Sequence, residues 1–135
     1  MFTNFEVTIP ANTTEAEPKL QTLQISRGVV HQLEVNFPAG CRGYVYLALY
    51  HHDKLVWPSN LKAAFRGEGY TIPIKEYFKV SEPPYTLVAY GWSPGSTYDH
   101  TITVRVGVLK EIDLEPLVKL PAMFAKFFKL LGVKA

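Results

Sequence analysis

The chain has 135 residues, of which 47% are hydrophobic and 19% charged; this excludes a disordered polymer and gives one domain enough length to bury a core unaided. Fourteen Lys and Arg stand against twelve Asp and Glu, a formal charge of +2, and the basic residues are scattered through the main body, which argues against a nucleic-acid partner. Cys41 is the single cysteine, so neither an internal disulfide nor a Cys-x-x-Cys zinc site is available.

The opening residues lack the basic start and apolar run of a signal peptide, so synthesis in the cytoplasm is expected. Within them, "FTNFEVTI" alternates Phe5, Val7 and Ile9 with Asn4, Glu6 and Thr8, the period of a strand with one buried face. "PANTTEAEP" is polar with a proline at each end and reads as a loop. "KLQTLQI" is a second strand. "VVHQLEVNF" is a third, with Val29, His31, Leu33, Val35 and Phe37 expected on one face. After the turn "PAGCRG", the strand "YVYLALY" puts Val45, Leu47 and Leu49 on one side and Tyr44, Tyr46, Ala48 and Tyr50 on the other. A half-buried strand normally shows polar side chains outward, so an aromatic second face predicts a cover of some kind.

"KLVWP" is a short strand that stops at a proline, and "SNLKAAFRGEG" reads as a connection with room for one helical turn. In "YTIPIKEYFKV", Pro73 cannot donate to a ladder, which predicts an edge strand or a bulge. "YTLVAYGW" and "HTITVRVGVL" follow, the latter alternating Ile102, Val104, Val106 and Val108 with Thr101, Thr103, Arg105 and Gly107. The expected fold is therefore all-β: an antiparallel eight-stranded sandwich, jelly-roll-like, over residues 1–110. Residues 111–135 change period. Pro121 suits a first helical turn, and Met123, Phe124, Phe127, Phe128, Leu130 and Leu131 recur at helical spacing, predicting a C-terminal amphipathic helix.

Candidate chemistry is sparse. His51, His52 and Asp53 could join His31 or His100 around a metal, but adjacent strand residues point to opposite faces and no His-x-His pair occurs. A polar hairpin end is the better reading, and no metal or cofactor is expected. Arg42 beside Cys41 would lower the thiol pKa, yet no nucleophile motif surrounds it and no catalytic residue is assigned. The aromatic residues say more. Trp57, Trp92 and Tyr98, near strand ends, are candidates for stacking on a sugar ring; packing between subunits competes for the same residues. An apolar helix appended to a sandwich has three destinations: its own domain, an assembly partner, or a membrane surface. The sandwich already holds its core between two sheets, which favours a partner, with Met123, Phe124, Phe127, Phe128 and Leu131 carrying the docking.

"ISRGVVHQLEVNFPAGCRGYVYLALYHHDKLVWPSN", "FRGEGYTIPI", "PPYTLVAYGW" and "TYDHTITVRVGVL" resemble small β-sandwich proteins of bacterial and archaeal viruses and prophages, over about residues 25–109. The resemblance rests on the strand pattern, the "FPAGCRG" turn, "VWP" and "TYDHT". It implies a virion accessory role in capsid decoration, a minor capsid position or a tail, and it carries over no functional residue. The expected partners are further copies of the chain, a trimer among the options, and other assembly proteins.

Overall fold

The computed structural model describes residues 2–60 and 63–110. The predicted helix, with Met123, Phe124, Phe127, Phe128 and Leu131, lies outside the described residues. Among the described residues there are nine strands: β1 (Phe2–Ile9), β2 (Lys19–Gln24), β3 (Gly28–Phe37), β4 (Tyr46–His51), β5 (Lys54–Trp57), β6 (Phe65–Arg66), β7 (Tyr70–Val80), β8 (Thr86–Trp92) and β9 (His100–Leu109). They form two antiparallel sheets, one in the order β1-β9-β3-β7 and one in the order β2-β8-β4-β5, with β6 beside β5 on the same side of β4. Except for the run β4–β5–β6, each connection crosses from one sheet to the other.

The period-two pattern explains the burial. Val7, Ile9, Leu33, Val35, Phe37, Ile102, Val104 and Val106 of the first sheet join Leu23, Leu47, Leu49, Leu87 and Ala89 of the second in one core. Each fully buried Leu, Ile or Phe contributes about 1.5–3 kcal/mol relative to exposure. The approach is close at Gly91 of β8, where a Cβ would stand 2.5 Å from Ile9 Cδ1, so the Ile9 side chain fills the space a larger residue would need. Antiparallel register then defines two ends of the molecule. Phe2, Gly28, Val80, Thr86 and Leu109 lie at one; Ile9, Phe37, Tyr70, Trp92 and His100 lie at the other.

Three details differ from the pattern in the sequence. Phe65–Arg66 makes a ninth strand inside the stretch read as a connection, pairing with Leu47 and Tyr46. The alternation expected through His31 breaks, because both ladders of β3 shift register between Val30 and Gln32. The bulge turns Val30 into the core and lets the imidazole leave it, where it meets the Phe2 ring edge-on at 5.5 Å. Trp57 is only 3% exposed, and its indole N–H donates to a Glu76 carboxylate oxygen. Its ring thus offers no open face for a sugar. Pro73 sits in β7, which is an edge strand as its missing N–H requires.

Gly28, with φ +154°, lies against β9: a Cβ there would stand 2.3 Å from the Leu109 carbonyl oxygen. Gly28→Ala is expected to destabilise the fold by roughly 2–4 kcal/mol through that clash and the backbone shift it forces, read as a lower midpoint in chemical denaturation. Leu49→Ala, in the centre of the core, is expected to cost about 2–5 kcal/mol in the same assay.

Candidate functional site: an aromatic sheet face and an end cleft

The two sheets differ on their outer faces. On the β1-β9-β3-β7 sheet, outward positions pair Asn4 and Glu34 with Arg105, and Glu6 and Asn36 with Thr103. Arg105 Nη1 donates to Glu34 Oε2 at 3.1 Å, and Asn36 Nδ2 donates to Thr71 Oγ1 at 2.8 Å. This face is largely polar across its middle, and toward the Leu109 end it carries two exposed rings, Phe2 at 61% beside His31 and Tyr77 at 78%. On the other sheet the outward positions are Tyr46, Ala48 and Tyr50 of β4, Val88, Tyr90 and Trp92 of β8, and Leu20 of β2. Cross-strand pairing sets Tyr46 against Trp92 with nearly parallel rings 5.7 Å apart, and Ala48 against Tyr90. Tyr90 and Tyr50, diagonal to each other, bring their rings to 4.2 Å. Arg66 lies over the Tyr46 ring at 5.8 Å and donates to its hydroxyl at 3.3 Å. Leu20 is 52% exposed at the edge of this surface.

The hairpin between β4 and β5 turns on His52 and Asp53, with φ of 47° and 64°. Both are positive, as a two-residue turn matching the strand twist requires, although neither residue is glycine. The His51 and His52 rings stack at 3.9 Å. His51 Nδ1 donates to the Thr86 carbonyl at 3.1 Å and His52 Nε2 to the Pro84 carbonyl at 3.2 Å. These bonds tie the hairpin to the start of β8. His100 is at the opposite end of the molecule, opposite Ile9, so the structure does not bring the histidines together. Among the described residues no group of three His, Cys, Asp or Glu side chains converges as a metal site would need.

At the other end, the β3–β4 and β8–β9 loops enclose a cleft of about 550 Å³. Cys41 sits 1% exposed at its base, 3.8 Å from His100 Nδ1, and His100 Nε2 lies 3.0 Å from Ser96 Oγ. Burial, with a smaller push from the Glu68 carboxylate, raises the Cys41 pKa, the reverse of the lowering expected from Arg42 next to it in sequence. The loop is held by Glu68: its carboxylate accepts N–H bonds from Gly40 at 2.6 Å and Arg42 at 2.7 Å. Those two bonds hold the Glu68 pKa below its ordinary value. The facing loop is tied to β1–β2. Ser93 Oγ donates to the Pro10 carbonyl at 2.9 Å, Gly95 N–H to Asn12 Oδ1 at 2.9 Å, and Ala11 N–H to Asp99 Oδ1 at 2.7 Å.

The structure thus separates the three residues singled out for stacking. Trp57 is buried, Trp92 is half-buried against Tyr46, and Tyr98 stands 75% exposed at the cleft. Tyr44, also at the cleft and 59% exposed, is a neighbour that the strand pattern placed only as one more outward ring. Glu68 could not be found from sequence, because its partners are 26 and 28 residues away and nothing local marks the contact.

Neither a family model nor a curated protein matches the chain. A solved structure titled "Crystal Structure of FLHE" aligns with 78% of this chain and 95% of that one, at 14% identity and a TM-score of 0.37. A likeness of that strength carries no argument about fold or function.

Two outcomes are expected here. Cys41 should react with a thiol reagent only at the rate of unfolding, so labelling in native buffer lags far behind labelling in denaturant; equal rates would show an open thiol. The Glu68 pKa is lowered in the fold, so its stabilisation is present above the ordinary glutamate range and lost as pH falls through the lowered value. Glu68→Gln should therefore melt below the wild type at pH 7, and the gap should close in acid.

Proposed function

We propose that this protein is a non-enzymatic structural subunit that assembles with further copies of itself and with other proteins through the outer face of the β2-β8-β4-β5 sheet. The observation that carries the reading is the contrast between the outer faces. One sets Asn4, Glu6, Glu34, Thr103 and Arg105 across its middle, with exposed Phe2 and Tyr77 only toward one end; the other sets the half-buried rings of Tyr46, Tyr50, Tyr90 and Trp92 in a row beside exposed Leu20. Both sheets bury their inner faces in the shared core, so among the described residues this row of half-exposed rings is surplus to the core, and a row of aromatic side chains on an outer face marks an interaction site. Aromatic residues with an arginine alongside are also what interface cores favour over ordinary surface.

A virus-particle accessory role is the specific form of this proposal. It is supported by the resemblance of residues 25–109 to small sandwich proteins of viruses, and by strand order. First strand beside last, with the third between the last and the seventh, opposite second-eighth-fourth-fifth, is the connectivity of a jelly roll. The tail, residues 111–135, supplies a second apolar element for assembly, with Phe124, Phe127, Phe128, Leu131 and Met123 docking on a neighbour.

Light scattering on the full chain, on a chain ending at Lys110, and on Trp92→Glu tests both elements. The expected result is a defined oligomer for the full chain and a smaller species for each variant, with circular dichroism unchanged. A full chain that stays monomeric at all concentrations, or an oligomer that both variants retain, would overturn the proposal.

A further inference from the structure

We infer that the cleft between Tyr44 and Tyr98 is a saccharide-binding site, at the end of the molecule and next to the sheet face assigned to assembly. Two exposed flat rings line it, Tyr44 at 59% and Tyr98 at 75%. A flat ring face meets the C–H groups of a pyranose, and tyrosine supplies that area with little loss of conformational freedom. Hydrogen-bonding groups line the same cleft: Arg42, Asp99, Thr97 and the Ser96–His100 pair. Asp99 spends Oδ1 on the Ala11 amide at 2.7 Å and keeps its second oxygen as an acceptor for a hydroxyl.

Other ligand classes fit less well. No aliphatic side chain larger than Ala39 lines the cleft, so it holds no pocket for the apolar anchor of a peptide. Arg42 and His100 stand close to Glu68, and Asp99 adds a second carboxylate. The near balance of charge suits neither the phosphates of a nucleic acid nor a polyanion. A polyhydroxylated, largely neutral chain answers to rings plus mixed donors and acceptors. The loops that carry these groups are fixed in advance, by Glu68 on one side and by Ser93, Asn12 and Asp99 on the other, so little ordering is left to binding. The sequence candidates for stacking are thereby revised: Tyr98 stays, Tyr44 replaces Trp57, and Trp92 belongs to the sheet face.

The test is a printed panel of plant, bacterial and animal oligosaccharides, probed with the full chain and with Tyr44→Ala, Tyr98→Ala and Tyr77→Ala. Tyr77, on β7, is 78% exposed and away from the cleft, and serves as the control for loss of any surface ring. The expected result is binding to at least one oligosaccharide class, weakened about tenfold by each cleft variant and unchanged by Tyr77→Ala. Amide NMR shifts on adding that oligosaccharide should concentrate in residues 39–44 and 95–100. The inference is overturned if no oligosaccharide is retained, if both cleft variants bind like the wild type, if Tyr77→Ala weakens binding equally, or if the shifts fall elsewhere. Tyr44 borders Tyr46 and Arg66 of the assembly face, so Tyr98→Ala, read for both oligosaccharide binding and oligomeric state, is the variant that keeps failure of this inference distinct from failure of the subunit proposal.

Discussion

Burial between the two sheets is the constraint on which the other features rest. A strand that gives alternate residues to a shared core has no freedom of register, because a slip of one residue would turn its whole apolar set outward. β4 shows the force of this. Leu47 and Leu49 are buried, as is Val45 just before the strand, so Tyr46 and Tyr50 must face out whether or not anything covers them. β8 is locked in the same way by Leu87 and Ala89, which sends Val88, Tyr90 and Trp92 to the same outer surface. The aromatic face is thus the second consequence of a register chosen by the core, and the pairing of the two strands turns separate rings into a row.

The end cleft depends on the same frame in a different way. Its residues lie in loops, where register decides nothing. What fixes them is a set of bonds from side chains to backbone: Glu68 to the 40–42 turn, Ser93 and Asn12 across the neighbouring loop, and Asp99 to Ala11. Gly40 and Gly43 take φ of 102° and 74°, which lets the chain coil tightly around the Glu68 carboxylate. Arg42 adopts φ of 50° between them, a conformation that the two bonds at Gly40 and Arg42 help to hold.

The strands were legible because alternation is a local signal. β1, β4 and β9 read correctly face by face, and Pro73 announced an edge strand through the donor it lacks. The places where reading failed are those where a long-range partner overrides local pattern. His31 sits in phase with Val29 and Leu33, and only the ladders to β7 and β9 show that a bulge moves it out. Phe65–Arg66 is too short to show any period and exists because β4 extends past the end of β5. Trp57 at a strand end looked available, but Glu76 and Phe78 from another sheet enclose it. The cleft was only half visible for the same reason, since Tyr98 and Tyr44 come from loops 54 residues apart.

The pairing of β1 with β9 has a directional consequence. β9 runs ten residues from His100 beside the cleft to Leu109 at the opposite end, a span of about 30 Å. The chain therefore leaves the described sheets at the far pole from Tyr44 and Tyr98, on the side of the His52–Asp53 hairpin. The cleft and the point where the chain leaves the described sheets are thus held apart by the length of one full strand.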